Sequence, residues 1–213
     1  AGPDLLTFPA QARKVPTTST AVKPAWQDQL RSAPRNVVTR SAWQTYLMLT
    51  ANTTDTTLQA LQNIYLGQVG ALLEAANWAE NHTPRTDCTA DPDGDGQLEC
   101  ILANQQYFAI LEPVGARLMQ FFSVDENGPH QLVGPSSQFT IGLSDPSEWH
   151  PENGEAADPS VIPGAFADAP GTWINYTPTV QPDGITFTSP DNTRVKTYRL
   201  TEDGIKVLYQ VNE

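Results

Sequence analysis

The chain has 213 residues and a formal net charge of −12, from 24 acidic and 12 basic side chains. An acidic surface repels phosphate backbones and anionic membrane surfaces, which argues against nucleic acid as a partner and favours divalent cations. Hydrophobic residues make up 39% and charged residues 17%, while 18 prolines and 14 glycines favour a loop-rich, mainly β protein over a helical bundle.

Residues 1–40 are predicted to form an extended, proline-rich arm. Each proline fixes its own φ and biases the preceding residue away from helix. Trp26 lies among the scattered hydrophobic residues of this segment and favours docking of the arm on its own domain or on a neighbouring subunit. The alternative is a disordered linker. The interrupting prolines are Pro3, Pro9, Pro16, Pro24 and Pro34.

Residues 41–86 are predicted to form a helical hairpin. Ser41 is placed to cap its first helix, and Asp55 lies near the start of the second. Gly67 and Gly70 fall within the apolar pattern of the second helix, where glycine lowers stability unless another segment packs closely. The hairpin is too small to bury its own apolar stripe, so we expect it to lie against the later sheet or a further domain.

Residues 87–213 are predicted to form a calcium loop and an antiparallel β-sandwich. From Glu99 onward the apolar period changes from the helical value to two, with turn signals between the segments. Residues 144–171 break this rhythm with five prolines, and a loop of that length in a compact domain is usually functional or forms an interface. The candidate strands are residues 99–103, 106–112, 116–124, 130–134, 138–143, 172–180, 184–189, 193–200 and 204–211.

An acidic loop before the first of these strands has the spacing Asp-x-Asp-x-Asp-Gly-x-x-Glu. Alternating aspartates on a tight turn point their carboxylates inward, and glycine permits that turn. The alternative is a solvated acidic turn, in which the aspartates would repel one another. We expect Ca²⁺ in a structural role, because calcium needs six to eight hard oxygen ligands. Its predicted ligands are Asp91, Asp93, Asp95, the carbonyl oxygen of Gln97, and Glu99.

Two cysteines, Cys88 and Cys100, flank the acidic loop and are predicted to form a disulfide, which indicates an oxidising compartment. The alternatives are two free thiols or an incomplete metal site, and zinc is poorly supported without a nearby pair of histidines. No stretch approaches the ~20 apolar residues that span a bilayer, so we expect no membrane span. We therefore expect a secreted or cell-surface protein.

Two further features of the sequence concern processing and modification. The chain begins at Ala1 without methionine, which indicates a processed or excised chain. Three Asn-x-Thr tripeptides are compatible with a glycoprotein, although such tripeptides also arise by chance. Their asparagines are Asn52, Asn81 and Asn175.

Residues 91–115 (DPDGDGQLECILANQQYFAILEPVG) resemble the start of the C-terminal β-domain in glycoside hydrolase family 57 proteins. Residues 63–80 are similar to the helical segment before that domain, and the resemblance covers about residues 41–210. The family pattern ends near Pro-x-Gly-Gly, where this chain has Gly115-Ala116. The resemblance implies an α-glucan-acting protein with this module at its C-terminal side.

The catalytic features of that family are not carried by this chain. Its barrel has a His-Gln-Pro motif, a glutamate nucleophile and a distant aspartate acid, whereas Pro129-His130-Gln131 has the wrong order. The resemblance thus implies a non-catalytic portion, or a stand-alone relative of it, and a glycoside hydrolase only within a larger polypeptide. Paired carboxylates in the long loop are an alternative source of activity, but solvated acids explain them as well. These acids are Glu148, Glu152, Glu155 and Asp158.

Aromatic side chains offer candidate carbohydrate contacts, because sugar rings have an apolar face that stacks on exposed aromatics. The candidates are Trp149, Trp173 and Tyr176, although Trp173 also fits a core position of an alternating strand. Two hypotheses follow. The first is a calcium-stabilised β-sandwich module of a secreted carbohydrate-active protein. The second is an extracellular structural or assembly subunit whose N-terminal arm docks onto a neighbouring subunit.

Overall fold

The computed structural model describes residues 26–51, 54, 66–134, 165–167 and 174–212. Three helices come first in these residues: α1 (Trp26–Ser32), α2 (Val37–Leu49) and α3 (Gln68–Asn81). Nine strands follow in the same described part: β1 (Arg85–Ala90), β2 (Glu99–Ala103), β3 (Tyr107–Glu112), β4 (Arg117–Asp125), β5 (Gly128–Val133), β6 (Thr177–Gln181), β7 (Gly184–Thr188), β8 (Arg194–Thr201) and β9 (Gly204–Val211).

The strands form two antiparallel sheets in which neighbours in sequence are neighbours in space. One sheet has the order β1-β2-β3-β4-β5 and the other β6-β7-β8-β9. The prediction of a mainly β protein with an antiparallel β-sandwich is therefore confirmed. The predicted strand at residues 138–143 lies outside the described residues, as does most of the long loop.

The central strands of the five-stranded sheet are buried on both faces, so the molecule has three layers. One face packs against the helices, through residues such as Phe108 and Ile110. The other face packs against the four-stranded sheet, where Leu111 and Leu118 belong to the same buried cluster as Phe187. Every residue of β2 is buried, as is typical of strands covered on both sides. The described helices thus lie against the sheet, which is one of the two placements expected from the apolar stripe.

The helical layer begins earlier than predicted. Trp26–Ser32 is helix α1 where extended chain was expected, because Trp26 and Leu30, one helical turn apart, are both buried in the core beside the other helices. Helix α2 begins at Val37, before the predicted cap Ser41, because the Asn36 side chain accepts a hydrogen bond from the Thr39 amide at 3.0 Å. Residues 1–25 lie outside the described part of the chain.

Strand β1 was not predicted. Its residues are half-buried or exposed and lack an apolar alternation, so no period-two signal marks it. It is held by pairing with β2, from Arg85 opposite Ala103 to Ala90 opposite Glu99. This pairing brings both ends of the acidic loop to one edge of the sheet.

A buried lysine joins the two sheets. Lys196 of β8 donates hydrogen bonds through Nζ to the carbonyl oxygens of Gly115 and Ala116, at 3.1 and 3.3 Å, and to that of Phe166. The Tyr198 hydroxyl also donates to the Ala116 carbonyl, at 2.6 Å. These bonds fix the turn between β3 and β4, where Ala116 has a positive φ of 44°. Among the described helices, none is long and apolar enough to cross a membrane.

Candidate metal centre

Three of the predicted ligands converge at the loop between β1 and β2. Asp91, Asp93 and Glu99 each offer one carboxylate oxygen, and these three atoms lie within 4.8 Å of one another. All three donors are hard oxygens, which suit calcium or magnesium better than zinc or copper. The arrangement can therefore hold a divalent cation.

The loop backbone is wrapped around Asp91. Its Oδ1 accepts hydrogen bonds from the amides of Gly94 and Asp95, at 2.8 and 3.1 Å, and its Oδ2 accepts from the Gly96 amide at 3.1 Å. Gly94 and Gly96 have φ values of 72° and 90°, in the region that favours glycine, as the spacing predicted.

One of the predicted carboxylate ligands, Asp95, is not in this cluster. The Asp95 carboxylate accepts a hydrogen bond from the Gln97 amide at 2.7 Å. The cluster consists of Asp91, Asp93 and Glu99 without it. Coordination by Asp95 and by the Gln97 carbonyl oxygen stays a prediction.

Glu99 is the most unusual of the three clustered acids. It is the first residue of β2 and is 0% exposed, and neither of its carboxylate oxygens has a hydrogen-bond partner among the described residues. Burial, reinforced by the charge of Asp93, raises the pKa of Glu99 to about 11. A buried carboxylate without donors is unfavourable unless a positive charge or a proton compensates it.

Asp93 responds to the same environment. Burial, together with the charges of Asp95 and Glu112, raises the pKa of Asp93 to about 8. Its Oδ1 accepts a hydrogen bond from the Asp95 amide at 3.2 Å, which opposes the rise. In the absence of a cation, both Asp93 and Glu99 therefore favour the protonated form at neutral pH.

Two buried residues of opposite charge lie near the cluster, and the sequence pattern did not mark them as part of it. Glu112 and Arg117 are 2% and 0% exposed and are paired opposite each other across β3 and β4. Burial raises the pKa of Glu112 and lowers that of Arg117, and each charge partly opposes the shift of the other. The available signal was a glutamate ending an apolar strand and an arginine starting the next one.

Even with the positive charge of Arg117, the region around the acidic cluster is strongly negative. Five carboxylates share it with one guanidinium, so the formal sum when all are ionised is −4 (five negative charges, one positive). Such a density of like charge in a poorly solvated region is compensated best by a divalent cation. The carboxylates are those of Asp91, Asp93, Asp95, Glu99 and Glu112, and the guanidinium is that of Arg117.

The predicted disulfide is confirmed: Cys88 of β1 is bonded to Cys100 of β2. Cys100 is fully buried and directly follows Glu99, so the bond closes both ends of the loop beside the buried carboxylate. A disulfide is typical of proteins that reside in oxidising compartments.

We expect loss of this disulfide to weaken cation binding, because the open chain must order a longer free loop to assemble the ligands. The double variant Cys88→Ala/Cys100→Ala should lose roughly 3 kcal/mol of unfolding free energy, the order expected for a short closed loop. Its calcium affinity, measured by titration calorimetry at a temperature where it is folded, should also fall. Unchanged affinity would show that strand pairing alone holds the loop.

The side chain of Tyr176 is buried, which does not fit its predicted role as a carbohydrate contact. Tyr176 is 2% exposed, because its ring lies in the core between the sheets, with Lys196 Nζ 5.8 Å from the ring centroid. No ring face is available there for a sugar. Trp149, Trp173 and the acids of the long loop lie outside the described residues.

The three predicted glycosylation asparagines are placed differently. Asn81 ends helix α3 and is exposed, and Asn175 is also exposed. Asn52 lies outside the described residues. Glycosylation at these asparagines stays a prediction.

Neither the protein-family models nor the curated proteins include a match to the chain. Among the solved structures, a 4-alpha-glucanotransferase from Thermococcus litoralis matches with a TM-score of 0.39 and 16% sequence identity. The match covers 86% of this chain but 35% of the glucanotransferase chain. A likeness this weak leaves the functional assignment to the geometry of the site.

Proposed function

We propose that this chain is a non-catalytic β-sandwich module that is stabilised by calcium and belongs to a secreted, α-glucan-active protein. One observation carries the metal assignment. Glu99 is fully buried, its two oxygens are unpaired among the described residues, and one of them lies within 4.8 Å of oxygens from Asp91 and Asp93. A cation between them would supply the charge that the fold does not provide there.

The chemistry of the donors favours calcium. Both cysteines of the chain are joined in the disulfide, so thiolates are not available as soft ligands. Calcium accepts six to eight oxygens in irregular geometry, whereas magnesium requires a near-ideal octahedron. The ion would have an irregular shell of oxygen ligands from Asp91, Asp93 and a bidentate Glu99. The Gln97 carbonyl oxygen and water would complete that shell.

Titration calorimetry tests this assignment directly. We expect one calcium ion per chain, with much weaker binding of magnesium. Glu99→Gln should abolish binding because it removes the buried charge while preserving the shape of the side chain. Asp203→Asn, in an exposed turn of the four-stranded sheet, is the matched control and should bind as the wild type does. Absence of calcium binding by the wild type would overturn the proposal.

The glucan part of the proposal is supported by the resemblance of residues 91–115 to the β-domain of glycoside hydrolase family 57. We expect the 213-residue chain to release no reducing sugar from starch, since it carries no recognised catalytic motif. Weak starch binding that is lost in Trp149→Ala would support a recognition role. Release of reducing sugar that disappears in Glu148→Gln or Asp158→Asn would contradict the non-catalytic assignment.

The mass of the natural gene product separates this proposal from the assembly-subunit alternative. A much larger product that contains a catalytic barrel would favour an accessory module. A product near the 23.2 kDa of this chain would favour a structural subunit whose N-terminal arm docks onto a neighbour.

A further inference from the structure

The acidic loop is in close contact with the start of helix α3. Gly67 caps this helix, and a Cβ added there would lie 2.6 Å from the Asp93 carbonyl oxygen and 2.9 Å from the Asp93 Cβ. At Gly70, one turn further on, a Cβ would overlap the Pro92 carbonyl oxygen and the Trp26 ring. Contacts below 3.0 Å are not tolerated by real side chains, so the helix approaches the loop at the limit that glycine permits.

Asp93 takes part both in the acidic cluster and in the contact with helix α3. Its carboxylate lies in the cluster with Asp91 and Glu99, while its backbone and Cβ touch the helix at Gly67. A change in the position of the carboxylate therefore moves the surface on which the helix rests.

The helical layer is linked to this contact by specific bonds. Trp26 of α1 packs on Gly70, and the Asn36 side chain before α2 donates to the Ala76 carbonyl oxygen of α3 at 2.9 Å. Buried Gln68 of α3 accepts a hydrogen bond from buried Gln120 of β4 at 3.1 Å. Movement of the start of α3 would disturb all of these contacts.

We propose that the cation bound at this loop controls the docking of helices α1 and α3 on the five-stranded sheet. This inference rests on the proposed calcium site and adds a regulatory consequence to it. With the ion in place, Asp93 is held toward Glu99, and the backbone of Pro92 and Asp93 has the shape that fits Gly67 and Gly70. Without the ion, the Asp93 carboxylate is no longer held beside Asp91 and Glu99 by a shared ligand, so the backbone of Pro92 and Asp93 under the helix is less firmly fixed.

Coupling between two binding events is reciprocal. If the bound ion strengthens docking of the helix by some factor, then loss of the helix contact must weaken ion binding by the same factor. Gly67→Ala leaves all three clustered carboxylates in place and adds one methyl group at the contact. We expect its calcium dissociation constant to rise at least about fivefold. Asn77→Ala, on the exposed face of the same helix, is the matched control and should stay within about twofold of the wild type.

Hydrogen exchange supplies the second measurement. In the wild type, calcium removal by EDTA should speed amide exchange in peptides from α1 and α3 while β7 and β8, on the far sheet, change little. In Gly67→Ala, the α3 peptides should exchange faster even with calcium present.

The outcomes separate the two proposals. If the wild type binds no calcium, both the proposed site and its control of the helices fail. If the wild type binds calcium but Gly67→Ala binds equally well and α3 exchange does not respond to EDTA, the site stands and the coupling is overturned. Should Gly67→Ala fail to fold, Trp26→Phe supplies the second variant: it loosens the Gly70 contact, and unchanged calcium affinity there would overturn the coupling.

Discussion

Saturating calcium is expected to raise the melting temperature of this protein by about 5–10 °C. An ion that binds the folded chain at a hundred times its dissociation constant adds ~2.7 kcal/mol to the unfolding free energy. A change of 1 kcal/mol moves the melting temperature of a chain of this size by roughly 2–4 °C. Differential scanning calorimetry with added calcium and with EDTA measures this difference.

Variants of the clustered acids test the source of that stabilisation. In Asp93→Ala and Glu99→Gln, the melting temperature should no longer respond to calcium, because a ligand of the ion is missing. Asp203→Asn carries an equivalent loss of charge at an exposed turn and should keep the full response. A wild-type melting curve that is identical in calcium and EDTA would contradict the central assignment.

Calcium binding at pH 7 is expected to release about two protons per chain. Burial raises the pKa of Asp93 to about 8 and that of Glu99 to about 11, so both are mainly protonated at pH 7 in the absence of a cation. The ion binds only the carboxylate forms and therefore displaces these protons. Calorimetry in buffers of different ionisation enthalpy counts them, and a count of zero would show that both groups are ionised before the ion binds.

The same shifts set the pH dependence of the calcium-free protein. The folded-state pKa values of Asp93 and Glu99 lie above their ordinary values of 3.8 and 4.5, so the folded chain binds more protons than the unfolded chain. Their stabilising effect is present in full below about pH 4 and is lost as pH rises, through pH 8 for Asp93 and toward pH 11 for Glu99.

The melting temperature in EDTA should therefore decrease between about pH 5 and pH 8, and calcium should reduce or reverse that decrease. Glu99→Gln, which cannot ionise at this position, should show a shallower dependence. A melting temperature that rises over this range in EDTA would mean that the acids are ionised at low pH and compensated by another group.

Much of the site was predictable from local spacing. The aspartates of the loop alternate, glycines lie where the backbone needs a positive φ, and cysteines flank the loop, so Asp91, Asp93, Glu99 and the disulfide could all be named in advance. These features depend on residues within a dozen positions of one another, and short-range geometry is set largely by residue type. The antiparallel sandwich was predictable for the same reason, since period-two segments and turns are local signals.

Packing between distant parts of the chain decided the rest. Residues 26–32 form helix α1 instead of the predicted extended chain, because Trp26 is buried against Gly70. This contact joins residues more than forty positions apart, which no local period reveals. Tyr176 became a core residue because the two sheets close over its ring.

Glu112 and Arg117, which carry opposite charges, came close to the cation cluster through the pairing of β2, β3 and β4 in one sheet. The physical reason is that ligand spacing, turn geometry and strand period are properties of neighbouring residues. Burial and electrostatic environment instead arise only when separate elements exclude water between them.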